Sequence, residues 1–240
     1  MITASLPRGH ASVRPVSRLA RRIASIAALI VCGTVAPAIA ATSALSQATD
    51  RPVILILGDS LSAEYGLARD SGWVKLLEAR LRDEHYDYGI VNASISGETT
   101  SGGLARIDEL LTRVKPATVI VELGGNDALR GLPLASTQEN LASIVARSQK
   151  VRASVLIVGM QIPPNYGKAY ADRFAEVFTS TSKRYGTALT PFFFAGFADQ
   201  LDLFQPDRIH PTAAAQGRLL ENAWPDLKPL LKRPAGSASR

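Results

Sequence analysis

The chain has 240 residues, of which 46% are hydrophobic and 20% charged, a balance that suits a folded domain and excludes a disordered or fibrous chain. Its formal charge of +6 is unevenly spread, because Arg8, Arg14, Arg18, Arg21 and Arg22 fall in the first forty residues, which hold no acid. The rest of the chain sets 22 basic residues against 21 acidic ones, a net +1 that does not form the basic footprint of a nucleic-acid-binding protein.

In chain order, the basic start gives way to an apolar stretch from Ile23 to about Val35 and then to Ala38-Ile39-Ala40. Basic, apolar and small-residue regions in that succession predict a secretory signal peptide over residues 1–40. Cleavage is expected, so no stable membrane insertion should remain. Cys32, the only cysteine, lies within the apolar stretch after bulky Val31, a poor fit to lipid attachment. The mature protein therefore has no disulfides and relies on its core, which about 200 residues supply as a single domain. Export without disulfides suits a periplasmic or secreted bacterial protein. Residues 41–51 read as a polar lead-in, 52–232 as the domain and 233–240 as a tail.

Within the domain, short apolar runs alternate with amphipathic stretches. Val53–Leu57, Gly89–Asn92, Thr118–Leu123, Val155–Met160 and Ala188–Phe194 read as strands buried on both faces. Helical spacing links Trp73, Leu76, Leu77 and Leu81, then Leu104, Ile107, Leu110 and Leu111. It recurs at Leu141, Ile144 and Val145, and at Phe174, Val177 and Phe178. A last helix over Thr212–Leu231 should be kinked or broken by Pro225. The alternation predicts an α/β protein, a parallel sheet between two helical layers. In such sheets ligands bind beyond the carboxyl ends of the strands. Ser60, Ser94–Gly97 and Gly124–Asp127 all follow strands directly and should meet there.

Gly58-Asp59-Ser60 presents a hydroxyl at the end of the first strand. A serine there is an ordinary helix cap unless a base activates it and donors hold the resulting oxyanion. Of the three histidines, His10 lies in the leader and His85 in the helix-end stretch Glu84-His85-Tyr86. Only His210 has an acid at short spacing in a loop-like setting, Asp207. That acid either caps a turn or accepts from the imidazole Nδ1–H, which would leave Nε2 to take a proton from Ser60. Likewise Ser94–Glu98 and Gly124–Asp127 are either glycine turns with an Asn cap or carriers of oxyanion donors. The candidate donors are the backbone N–H of Ser60, that of Gly97 and the side-chain amide of Asn126. No phosphate-binding or dinucleotide motif follows a strand. One histidine and scattered acids supply too few ligands for a metal.

The blocks Gly58-Asp59-Ser60, Gly97, Gly124-Gly125-Asn126-Asp127 and Asp207-x-x-His210 stand in the order of the SGNH (GDSL) hydrolases, which the sequence resembles. Within them it is similar to the bacterial periplasmic thioesterase I/lysophospholipase/arylesterase group. The stretches that carry this likeness are ILILGDSLSAEYGL (54–67), VNASISGETTSGGLARI (91–107), VELGGNDALRGLP (121–133) and QIPPNYGKAY (161–170). The resemblance implies a three-layer α/β/α sandwich with a flavodoxin-like five-stranded parallel sheet. It also implies hydrolysis of small acyl esters and thioesters through an acyl-serine, with no metal or organic cofactor, in a monomer. Ser60 is then the nucleophile, His210 the base and Asp207 its orienting acid, with Ser60, Gly97 and Asn126 as oxyanion donors. Glu64 stands where members often have glycine and puts an acid near the mouth of the site, weighing against anionic acyl groups. An acyltransferase or carbohydrate deacetylase on the same scaffold, and a non-catalytic binding module, are the competing readings.

Overall fold

A computed structural model describes residues 51–162 and 166–233. The signal-peptide region, nearly all of the lead-in and residues 234–240 lie outside the described residues. Five strands, β1 (Val53–Gly58), β2 (Gly89–Asn92), β3 (Thr118–Glu122), β4 (Ser154–Val158) and β5 (Ala188–Thr190), pair in parallel in the order β2-β1-β3-β4-β5. This is the flavodoxin-like doubly wound order. It comes with α1 (Trp73–Asp83), α2 (Thr100–Val114), α3 (Gly125–Leu129), α4 (Leu134–Lys150), α5 (Lys168–Tyr185) and α6 (Gln216–Leu227).

The continuous apolar runs are explained by two cores, one on each face of the sheet. Alternate residues of a strand point to opposite faces. Ile54, Ile56, Ile120 and Leu156 join Trp73, Leu77, Leu219 and Trp224 in the core under α1 and α6. Leu55, Leu57, Val121 and Ile157 join Ile107, Leu141, Ile144, Phe174 and Phe178 under α2, α4 and α5. The register matches residues of one layer across the central strands, since Ile56 pairs with Ile120 and Ile120 with Leu156. Neither face could be polar without unpaired groups in a core, so near-uniform Val, Ile and Leu is what this topology requires.

Three expectations are corrected. The run Ala188–Phe194 ends as a strand at Thr190, because Pro191 has no N–H to continue the ladder. Its phenylalanines instead form a turn that drops Phe193 edge-on against Trp73, with ring centroids 5.4 Å apart. Pro225 lies inside α6 and does not break it. The carbonyl it leaves without a donor, that of Glu221 one turn earlier, belongs to an exposed residue that water can serve, while Trp224 and Leu227 on either side are buried and hold the helix in place. Leu76, counted with the apolar stripe of α1, is 37% exposed, whereas Leu77 is fully buried. Leu77→Ala is therefore expected to cost about 2–5 kcal/mol in urea unfolding and Leu76→Ala less than about 0.5 kcal/mol. Equal losses at the two positions would contradict the packing described.

Candidate active site

β1 delivers the turn that carries Ser60 in a fixed pose. Gly58 is needed where the strand ends, because a Cβ there would lie 2.8 Å from both Glu122 Oε2 and Ser62 Oγ. Beyond it the chain closes into turns through Ala63 N–H to Asp59 O (3.0 Å) and Tyr65 N–H to Ser60 O (3.2 Å). Ser60 Oγ is thereby directed to His210 Nε2, 2.8 Å away. His210 Nδ1 lies 2.7 Å from Asp207 Oδ2. Asp207 Oδ1 accepts from the N–H of Ile209 (2.9 Å) and of His210 (3.0 Å). The two readings of Asp207 thus coincide: one oxygen caps the turn and the other meets the imidazole. Arg208, at φ 57, makes the sharp bend between them.

Burial works to raise the Asp207 carboxyl. The N–H groups of His210 and Ile209 and the imidazole outweigh that effect and hold it below the usual carboxylate value. An ionised carboxylate only accepts, so Nδ1 carries the ring hydrogen and Nε2 is the free base.

The strand order decides what surrounds Ser60. β1 lies between β2 and β3, so the loops bearing Gly97 and Asn126 flank the serine on either side. Three hydrogen bonds close these loops into a triangle. Ile95 N–H donates to Gly58 O (3.1 Å), Asn126 Nδ2 to Asp59 Oδ2 (2.9 Å) and Arg130 Nη2 to Gly97 O (2.8 Å). Gly97 has φ +80, the left-handed region that only glycine enters at little cost. Asp127, buried below, accepts from the backbone N–H and hydroxyl of Thr100 at the start of α2 and so fixes the far end of the Gly97 loop. Ser60, Asp207 and His210 are in contact, and Gly97 and Asn126 lie on the flanking loops, whereas His85 is exposed beyond α1. Among the described residues, no group of three or more His, Cys, Asp or Glu side chains is arranged to hold a metal ion.

Two buried acids escaped the sequence reading. Glu122 ends β3 and reaches under the turn that carries Ser60, where its Oε2 accepts from Ser62 Oγ (2.8 Å) and Asp59 N–H (3.3 Å). Ser62 Oγ in turn accepts from the indole N–H of Trp73 (3.2 Å). A charged residue closing the run Thr118–Leu123 was the available signal. Complete burial, reinforced by the Asp59 carboxylate, pushes Glu122 well above the ordinary carboxyl range and favours its neutral form. Asp59 stands between Glu122 and Asn126 and is only 3% exposed.

The expected acid at the mouth of the site is differently employed. Glu64, at φ 58, turns its carboxylate back to accept from Asp70 N–H (3.0 Å) and Gly72 N–H (2.7 Å). Both oxygens stitch the loop that carries Tyr65, whose ring centroid lies 4.4 Å from that of His210. Gln205 completes the brace. Its Nε2 donates to Tyr65 O (2.9 Å) and Pro211 O (3.3 Å), and its N–H donates to His210 O (2.7 Å).

A serine, imidazole and carboxylate bonded in series at the carboxyl edge of a doubly wound sheet define a serine acyl hydrolase. The model of the GDSL-like Lipase/Acylhydrolase family matches residues 56–218, and the chain belongs to that family. It is similar to Esterase TesA of Pseudomonas aeruginosa, 51% identical over 187 residues that span 78% of this chain and 93% of that protein. It is also similar to Thioesterase 1/protease 1/lysophospholipase L1 of Escherichia coli K12, at 36% identity over 77% and 88% of the two chains. Among solved structures, TesA superposes with a TM-score of 0.73 at 52% identity, covering 75% of this chain and 99% of the other. The psychrotrophic esterase EstA from Pseudoalteromonas sp., solved inhibited by monoethylphosphonate, gives 0.70 at 43% identity over 74% and 97%. The protein is an ester- and thioester-hydrolysing enzyme of this family, and the expected fold is the observed one.

Glu122 makes a stability prediction with a definite sign. Its carboxyl is raised in the folded protein, so between its unfolded value near 4.5 and its folded value the native state binds more protons, and stability falls as pH rises. E122Q, which mimics the neutral acid, removes that decline. Urea midpoints at pH 5 and pH 8 should show E122Q gaining on wild type at the higher pH. E122A, which strands the donors of Ser62 and Asp59, should lose about 1–3 kcal/mol. A pH-independent difference between E122Q and wild type would show that Glu122 is charged in place.

Proposed function

We propose that Ser60 is the nucleophile of this esterase, His210 its general base and then acid, and Asp207 the group that orients the imidazole. The observation that carries this reading is the unbroken series Ser60 Oγ–His210 Nε2 at 2.8 Å and His210 Nδ1–Asp207 Oδ2 at 2.7 Å. Ser60 Oγ attacks the acyl carbon as its proton passes to Nε2. The tetrahedral oxyanion is received by the N–H groups of Ser60 and Gly97 and the amide of Asn126. The imidazolium then protonates the leaving alcohol or thiol, and the acyl-serine remains. Water, deprotonated by the same Nε2, attacks that ester and releases the carboxylic acid, which restores Ser60.

The substrate is a small-molecule acyl ester or thioester. One chain supplies the whole series and all three candidate donors, which supports a monomeric enzyme. The basic, apolar and small-residue order of residues 1–40 supports export to the periplasm or medium, without membrane insertion of the mature enzyme.

With p-nitrophenyl butyrate, Ser60→Ala and His210→Ala should each lose roughly 10⁴–10⁶ in kcat, and Asn126→Ala roughly 10²–10³. The Ser60→Ala protein should also fail to take up an organophosphonate label that wild type accepts. Comparable turnover by Ser60→Ala would overturn the assignment.

A further inference from the structure

Asp59 sits beside the nucleophile, is almost completely buried, and belongs to neither the Ser–His–Asp series nor the three candidate donors. We propose that Asp59 is a positioning residue that locks the amide of Asn126 in the one orientation able to receive the oxyanion. The inference rests on the reading of Asn126 as an oxyanion donor.

Both oxygens of Asp59 are committed, and in different directions. Oδ1 accepts from Leu61 N–H at 3.0 Å, a bond within its own turn that fixes the plane of the carboxylate. Oδ2 accepts from Asn126 Nδ2 at 2.9 Å, across from the end of β1 to the loop after β3. A primary amide nitrogen carries two hydrogens about 120° apart. Once one is held by Asp59, the direction of the other is set.

Orientation also matters in a second sense. An asparagine amide has a donor end and an acceptor end of nearly the same shape, and packing distinguishes them poorly. A flipped Asn126 would turn its carbonyl oxygen toward Asp59 and withdraw the N–H from the oxyanion. An ionised carboxylate has no hydrogen to offer, so it rejects the flipped form by repulsion and accepts only the productive one. Burial raises Asp59 to about 6, against the opposing pull of the Leu61 N–H, the Asn126 amide and the His210 imidazole, so the acceptor form prevails at neutral pH and above. On the other side Glu122 Oε2 accepts from the backbone N–H of Asp59 (3.3 Å), which fixes the main chain from which the carboxylate projects. Preorganised donors of this kind stabilise the transition state without further reordering, and their loss falls on kcat rather than on substrate binding.

The test is a double-mutant cycle on the full-length enzyme with p-nitrophenyl butyrate at about pH 8. It compares wild type, D59A, D59N, N126A, D59A/N126A and D59N/N126A, with kcat and KM measured separately and melting temperatures recorded. D59A should lower kcat by about 10–100-fold, a large part of the effect of losing one donor, and move KM by less than about threefold. In the N126A background the same change should cost less than about threefold, because the group through which Asp59 acts is gone. D59N keeps the shape but can donate as well as accept, and should fall between wild type and D59A. Should D59A fail to fold, the D59N cycle decides, since that side chain fills the same space. An equal loss of kcat with and without Asn126, or a loss confined to KM, overturns the inference. Full activity in N126A would instead sink the oxyanion reading on which it rests, whereas an active S60A would sink the nucleophile assignment.

Discussion

The hydrogen bond between Ser60 Oγ and His210 Nε2 joins two residues 150 positions apart, and it is too weak to hold its own ends together. A bond of this kind contributes roughly 0.5–1.5 kcal/mol net, less than the entropy of ordering the two loops that carry it. Its geometry must therefore come from the scaffold. At the serine end the support is β1, buried on both faces, with Glu122 under the turn. At the histidine end it is the cap of Asp207, the antiparallel bridge between Phe204 and Pro211, and the Gln205 amide that reaches over to Tyr65 O. Gln216 at the start of α6 accepts from Trp73 N–H (3.0 Å), while the Trp73 indole donates to Ser62, so the two ends are also joined through the core.

Three carboxyl groups near the serine show how environment assigns roles to one functional group. Asp207, partly exposed and accepting three hydrogen bonds, is held in the charged state that stabilises an imidazolium. Glu122, wholly buried and next to another acid, is driven toward neutrality and serves as a strut. Asp59 lies between these extremes and meets both the strut and the Asn126 amide. Their separation follows from counting donors against burial. Each buried charge needs hydrogen bonds to replace water, and Asp59 and Glu122 accept two each, so the deeper burial of Glu122 and the neighbouring Asp59 carboxylate set it higher.

Much of this was legible in the sequence because the parallel sheet writes itself as apolar runs and the site lies at their ends. Gly-Asp-Ser, Gly97 and Asn126 could be placed on one edge from strand position, while Asp207-x-x-His210 was singled out by its spacing and by the family resemblance. The errors arose where tertiary contacts override local preference. Pro225 was read as a kink or a break, and the break is absent because buried Trp224 and Leu227 hold α6 through it. Ala188–Phe194 was read by hydrophobicity, whereas Pro191 and the aromatic packing of Phe193 ended the strand at Thr190. Asp59 and Glu122 were missed for a different reason. Their partners lie more than sixty residues away, and no periodicity encodes a pairing that exists only once β1 and β3 are adjacent. Glu64 was placed near the site by its charge, whereas the two N–H groups that its carboxylate binds are visible only in the fold.

The chemistry and the choice of acyl group rest on different supports. Ser60, Asp59 and Glu122 are buried at the sheet edge, where a change of shape disturbs two cores at once. The large apolar side chains nearest the site in sequence are exposed and lie on loops: Tyr65 over the imidazole, Ile95 ahead of Gly97, Leu129 and Leu132 after Asn126, and Ile209 before His210. Substitutions at those tips alter the exposed surface beside the site without reaching the buried braces. The exception is the Tyr65 loop. Glu64 and Gln205 tie its backbone to the turn at residues 70–72 and to the histidine loop, so Tyr65, like Ile209 in the Asp207 cap, is an exposed apolar group held by bonds that also set His210.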